Sequence, residues 1–365
     1  MSETPVPPHF PEVLELFALT GRFVSAAHYG SGHINDTFIV LQDVGATKPR
    51  RYIAQRINDR IFKNVPGLMD NVRRVTAHLS AKAERQLTLI PARTGEPCAR
   101  DSHGGWWRFY DFVEGAHTVD RVTSEAEARE AARAFGDFQA QLADLPGGRL
   151  HETIPNFHHT RSRFENFRRA LQADTAGRAA EVKPEIDFAF SREADADVLL
   201  ILLAKGEVSE RVTHNDTKIN NVMLDDVTHR AVAVIDLDTV MPGLPLYDFG
   251  EMMRTSASTA LEDDPEPANM TLDLRLFAVL VEGYLSSAVG DVLNATERAH
   301  LGFAGRLMAY ENGLRFLTDY LQGDTYYKIK YPQHNLIRTR TQFALVRSII
   351  AQTPAMDRIL EKFRA

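Results

Sequence analysis

The sequence predicts an α+β protein of two lobes: a small β-rich lobe over residues 1–114 and a larger, mainly helical lobe over 115–365. Three observations lead there. The first 115 residues carry four short runs of aromatic and β-branched residues between turn signals. After Gly115 the apolar residues take up the three-and-four step of helices. One short β-patterned island, Val222–Leu224 and Ala231–Asp236, interrupts the helical part.

Taken in order, the first strands fall at Arg22–Tyr29, Ile34–Leu41, Arg51–Ile57 and Trp106–Val113, with turns at Gly30-Ser31-Gly32 and at 45–49. A helix near Leu68–Ala83 carries Leu68, Val72, Val75 and Leu79 on one face. Ser124 followed by Glu127 reads as a capping box that opens a helix reaching about Leu145, where Pro146-Gly147-Gly148 stops it. Further helices are expected at Phe157–Leu171, Ile186–Lys205, Asp273–Ser287, Thr296–Leu321 and Arg338–Ala351. The acidic, proline-bearing stretch 257–270 reads as a solvated loop.

Composition bounds the partners. The chain has 365 residues, 44% hydrophobic and 25% charged, which is ordinary for a globular protein. A net charge of −7 argues against coating nucleic acid or hugging a membrane surface. The longest aliphatic run, Val198–Ala204, is far short of the ~20 residues of a membrane span. Met1–Pro11 has no apolar stretch of the secretory kind. The single cysteine, Cys98, excludes an internal disulfide and a multi-cysteine metal cluster. The expectation is a soluble, cytoplasmic protein.

Chemistry enters at His214-Asn-Asp-Thr-Lys-Ile-Asn-Asn221, followed 20 residues after Asp216 by Ile235-Asp-Leu-Asp238. His at 0, Asp at +2 and Asn at +7 is the catalytic-loop spacing of the protein-kinase signature, and Asp236 then takes the position of its magnesium-binding aspartate. The residue types suit phosphoryl transfer. One carboxylate must stand beside the attacking hydroxyl, and a second, with an amide oxygen, must hold magnesium against the phosphates. Apolar runs after Asn221 and before Asp236 supply buried strands that would hold these groups rigid. Tyr247-Asp-Phe-Gly250 spells the magnesium triplet of protein kinases, but it lies 32 residues past Asp216 at an apparent helix start, so Asp248 reads as a helix N-cap.

These strings resemble the aminoglycoside phosphotransferase/choline kinase superfamily, which has a protein-kinase-like fold with a small antiparallel-sheet lobe. The fuller segments 30–38, 214–224, 235–243 and 315–324 are similar to its N-acetylhexosamine 1-kinase branch, and the likeness runs from about residue 20 to 350. The resemblance implies that Asp216 is the catalytic base, His214 the structural histidine of the loop, and Lys218 a cation for the γ-phosphate. It implies Asn221 and Asp236 as magnesium ligands and ATP as co-substrate. Asp238 is open between a metal or substrate contact and a loop-capping carboxylate.

On the nucleotide side, Gly30, Ser31, Gly32 and His33 fall where such a fold covers the phosphates, and Asn35 stands close by for the substrate. The third strand departs from the pattern, because it has no lysine. Arg56 is the first substitute and Gln55 the second; neighbours on a strand face opposite sides, so only one fits. Phe112, Val113 and Glu114 fit the adenine hinge, with Phe112 expected to line an apolar slot. On the acceptor side, Glu311, Arg315 and Asp319 share a helix face. They form either a surface salt-bridge ladder or a set in which Arg315 reaches the acceptor sugar, with Tyr320, Tyr326 and Tyr327 as a stacking surface. His158-His159 has no third ligand in register. Two alternatives stand beside the sugar-kinase expectation: a kinase of another small alcohol, and a nucleotide-binding module without turnover.

Overall fold

The computed structural model describes residues 5–30, 32, 34–83 and 85–363. Ser31 and His33 lie outside the described residues. The chain forms two compact units. One, here the sheet unit, comprises residues 1–117, 144–155 and 223–241; the other, the helical unit, comprises 118–143, 156–222 and 242–365.

The sheet unit begins with α1 (Phe10–Glu15) and continues through β1 (Arg22–His28), β2 (Asp36–Asp43), β3 (Arg50–Ile57), α2 (Val65–Ser80), β4 (Leu89–Ile90), β5 (Ala99–Arg100), β6 (Trp106–Asp111) and β7 (Ala116–His117). The order is β1-β2-β3-β6-β4, with β5 also on β6, and the pairings are antiparallel. Register gives each face its character. Phe38, Ala54 and Phe109 stand in line across three strands, and with Val40, Tyr52 and Trp107 they bury against Phe10, Val13 and Phe17. Thr37, Gln55 and Arg108 line up on the opposite face. The helix α1 was not expected: six residues with Pro11 at their start are too few to show a helical period.

Two later segments complete this unit. The α2 side chain Asn71 donates to the carbonyls of His151 and Val240 and accepts from the His151 N–H, so one amide ties residues 144–155 and 223–241 to the helix. The hairpin strands Val222–Asp225 and Ala231–Val234 extend β7, with Ala116 opposite Asp225.

The helical unit holds α3 (Glu125–Gln141), α4 (Thr160–Ala173), α5 (Lys183–Ser191), α6 (Val198–Ala204), α7 (Pro245–Ser256), α8 (Leu274–Leu285), α9 (Ala295–Ala299), α10 (Leu301–Leu321) and α11 (His334–Glu361). Ser124 caps α3 by accepting the Glu127 N–H, but the Glu127 carboxylate turns to the Thr123 N–H, so the box closes one residue early. The single helix expected over 186–205 is two, α5 and α6, joined by the 3-10 turn Glu193–Asp197. There Arg161 of α4 draws in both Glu193 and Asp197. The helix expected at 296–321 breaks at His300 into α9 and α10. α11 runs on through Pro354 to Glu361, well past the expected end. The 257–270 stretch is largely loop, yet Glu262 in it is held between Arg254 and Arg338 rather than in solvent.

Candidate functional site

The predicted loop lies in the helical unit and is held from several sides. It follows the strand Arg211–Thr213. The His214 ring is fully buried between Phe135 and Phe138 of α3, with ring centroids 5.4 and 5.7 Å away. Its Nδ1 accepts the Asp216 N–H at 3.3 Å. Asn215 has the left-handed φ of 64° that few side chains adopt.

Asp248 is not the cap of its helix. It sits inside the first turn of α7, whose N-cap is Leu244, and its carboxylate accepts the backbone N–H groups of His214 (2.9 Å) and Asn215 (2.6 Å). Gln139 adds a further bond. The YDFG string therefore supports the loop through its aspartate. Burial pushes the Asp248 carboxyl above its ordinary value, and the donors around it oppose that rise.

A second support comes from His158. Its Nε2 meets the Asn215 carbonyl at 2.9 Å, and its Nδ1 meets Glu311 of α10 at 2.8 Å. Both acceptors are oxygens without protons, so both ring nitrogens donate and the imidazole is charged. Burial would lower the His158 pKa, but Glu311 outweighs it and the net shift is upward. Thr160 completes the Glu311 carboxylate at 2.6 Å. His159 instead caps α4, accepting the Ser162 N–H. Sequence reading missed His158 and Glu311 as loop supports; their 153-residue separation leaves no local signal.

At the loop's centre, Lys218 Nζ stands 2.7 Å from Asp216 Oδ1. Burial alone would raise the Asp216 carboxyl; the Lys218 ammonium outweighs it and holds it below the usual carboxylate range. Asn221 donates its amide N–H to the Asp216 carbonyl at 2.8 Å, and at 3.3 Å to its carboxylate. That turns the nitrogen of Asn221 inward and leaves the carbonyl oxygen as the atom a cation could meet.

The sheet unit carries the second group. Asp236 follows the strand Ala231–Val234, exposed, with φ 59°. Asp238 is buried. It pairs with Arg108 of β6 and accepts from Asn35 at 2.6 Å. Arg108 also donates to Gln55 at 2.9 Å, and Gln55 to Thr37 at 3.1 Å. Asp238 is thus a structural ion-pair partner of the sheet. An exposed carboxylate and an amide oxygen are hard oxygen donors, the type that magnesium or calcium takes.

The two strand candidates, Arg56 and Gln55, face opposite sides of the sheet. Arg56 is exposed and alternates with Tyr52 and Ala54, on the face away from Arg108. Gln55 has the right face but no charge. The buried cation is Arg108, one strand over and 1% exposed. Its signal was a lone arginine between Trp107 and Phe109. Gly30 has φ +80° and, like Gly32, open space where a Cβ would point.

Phe112, Val113 and Glu114 line an open hollow of about 390 Å³ with Arg50, Arg51 and Arg85. The Arg51 guanidinium covers the Phe112 ring at 3.9 Å and pairs with Glu114, so the expected apolar slot is a charged one.

Glu311, Arg315 and Asp319 share their face of α10 but form no ladder. Glu311 binds His158, and Asp319 caps the backbone N–H groups of Thr325, Tyr326 and Tyr327. Arg315 lies by the rings of Phe157 and Tyr327. Tyr320 does not join it; that ring is buried under Arg178.

A small antiparallel sheet, a helical body and this loop define a kinase-like phosphotransferase that acts on hydroxyl groups. The chain belongs to the phosphotransferase enzyme family, whose pattern it matches over residues 26–283. Solved structures of the same fold include an aminoglycoside phosphotransferase from Alicyclobacillus acidocaldarius, at 15% identity and TM-score 0.59, with 99% of this chain and 98% of that one covered. Amicoumacin kinase hAmiN, solved with AMP-PNP, Ca2+ and Ami, is 13% identical with TM-score 0.58, covering 92% of each chain. A choline/ethanolamine kinase family protein from Mesorhizobium loti is 14% identical with TM-score 0.55, covering 97% and 98%. Among the described residues no helix is long and apolar enough to cross a membrane.

Proposed function

We propose that the chain is an ATP- and magnesium-dependent kinase of a small-molecule hydroxyl. The first acceptor to test is the anomeric hydroxyl of an N-acetylhexosamine or a related sugar. The observation that carries the kinase reading is the Asp216 carboxylate, held ionised by Lys218 on a loop whose backbone is bound by Asp248 on one side and His158 on the other.

In this reading Asp216 Oδ accepts the acceptor's hydroxyl proton as its oxygen attacks the γ-phosphorus, and the bond to the β–γ bridging oxygen breaks so that ADP leaves. Lys218 neutralises charge on the transferring group. Asn221 and Asp236 would hold the magnesium ion, which when bound supplies charge neutralisation on the phosphates. Arg108 is buried and paired with Asp238. It positions the 236–238 segment through Asp238. Residues 30–33 and the backbone of 112–114 remain the proposed nucleotide contacts. The sugar rests on the resemblance of four sequence segments alone. A kinase of another small alcohol fits the family equally well.

The test is ADP release with ATP and magnesium over a panel of N-acetylglucosamine, N-acetylgalactosamine, simple hexoses, choline and an aminoglycoside. Asp216→Asn is expected to lower turnover by about 10²–10⁴-fold, the range of general-base catalysis, while nucleotide binding persists. Turnover unaffected by Asp216→Asn would overturn the assignment of the base. Nucleotide binding without turnover on any acceptor would favour the binding module.

A further inference from the structure

We propose that Arg163 and Arg315 form a binding site for an anionic group, so that the acceptor is a hydroxyl compound carrying a carboxylate, sulfate or phosphate. The first half stands on the cluster itself; the second half rests on the kinase reading above.

Two guanidiniums flank one residue. Arg163 of α4 donates through Nε and Nη2 to the Phe157 carbonyl, at 3.1 and 2.7 Å. Arg315 of α10 lies by the Phe157 ring, 5.4 Å from its centroid, and 5.7 Å from that of Tyr327. Among the described residues, Glu311 acts electrostatically on both guanidiniums and Glu251 on Arg315, and each of these carboxylates already has a hydrogen-bonded partner. Glu311 is bound by His158 and Thr160, and Glu251 by Arg254. Glu262 is bound by Arg254 and Arg338, and Asp216 by Lys218. Asp319 is turned to the 325–327 backbone and Asn335. Among the described residues neither Arg163 nor Arg315 forms an ion pair, and Arg315 donates no hydrogen bond. Beside them the Tyr327 hydroxyl is buried without a partner.

Burial works against both charges, but on Arg315 it is outweighed by Tyr327 and Glu311 and the net shift is upward. Burial and the neighbouring Arg315 charge hold Arg163 below its ordinary pKa. Two like charges in a partly buried place are relieved by an oxyanion, which a guanidinium fork binds through paired N–H donors. An ammonium group would instead meet two cations, so the cluster selects against amino alcohols and aminoglycosides. The cluster is also tied to the chemistry. Glu311 lies one turn before Arg315, and it reaches Asn215, the neighbour of Asp216, through His158.

The test uses matched pairs of acceptors in the ADP-release assay: glucose with glucuronate, N-acetylglucosamine with its 6-phosphate and 6-sulfate, and ethanolamine with serine. The acid members should be favoured by about tenfold or more in kcat/KM, the scale of one charge-assisted contact. R315Q and R163Q should raise KM for the acid members far more than for their neutral partners, and R315K should restore part of the difference. Melting temperature is read in parallel with the same compounds. Stabilisation by the acids that R315Q abolishes, without turnover of any acceptor, would uphold the anion site and overturn the acceptor half. Neutral members used as well as the acids, or no acid-specific stabilisation in the unaltered protein, overturns the whole proposal, even where ATP turnover keeps the kinase reading intact.

Discussion

At the scale of single residues, the buried ion pairs decide most. His158 binds its proton more tightly in the folded chain than the ordinary imidazole value of 6.5 allows. Its contribution is therefore full below that value and is lost as pH rises through the raised folded value. Glu311 has the opposite sign. It is held below its ordinary 4.5, with burial outweighed by His158, and its contribution fades as pH falls through the depressed value. His158→Gln should accordingly lower the melting temperature most near pH 6, and the deficit should shrink toward pH 9. A deficit independent of pH would sink the charged-imidazole assignment. Asp238→Asn leaves Arg108 buried without its counter-charge and should cost about 3–5 kcal/mol in urea denaturation. Replacing both by apolar residues of similar size should recover much of that. A loss under 1 kcal/mol for Asp238→Asn would mean that Gln55 alone satisfies the guanidinium. These residues also mark what could be read from the chain in advance. That Asp216, Lys218 and Asn221 lie together could be read in advance because they sit within one loop at fixed spacing. The contacts of Arg108, His158 and Asp248 could not, because each acts on a partner 33 or more residues away.

At the scale of elements, close helix packing depends on glycine. A Cβ on Gly250 of α7 would stand 2.5 Å from the Ala304 carbonyl oxygen of α10. A Cβ on Gly305 of α10 would stand 2.1 Å from the Met253 sulfur of α7. The first obstacle is backbone and cannot turn aside; the second is the far part of a flexible side chain. Gly250→Ala should therefore cost about 1–3 kcal/mol, and Gly305→Ala clearly less, by thermal or urea unfolding. Equal losses would mean that α7 and α10 slide apart to admit either methyl group. Element type was read well where the apolar period was long, as in α3, α8 and the four main strands. It failed where tertiary contacts override local pattern. Arg161 bends 193–197 into a 3-10 turn, and α11 continues through Pro354 although proline disfavours a helix interior.

At the scale of the whole chain, the sheet unit is assembled from three separated stretches, 1–117, 144–155 and 223–241. No single cut separates the two units. The last stretch depends on the first: its hairpin extends β7, Asp238 pairs with Arg108 and receives Asn35, and Val240 is bound by Asn71. A fragment of residues 118–365 would carry Asp238 and the hairpin without any of these partners. It would expose the apolar strand residues Val222, Leu224 and Ala233, which are buried in the intact chain. Burying each large side chain of this kind contributes about 1.5–3 kcal/mol, and an unpaired buried carboxylate adds its own penalty. The fragment is therefore expected to show helical circular dichroism without a cooperative melting transition, and to be cut by trypsin within 223–241 first. Adding residues 1–117 as a separate chain should restore protection there. A sharp transition in the fragment alone, with 223–241 resistant, would show that the helical unit stabilises that stretch by itself.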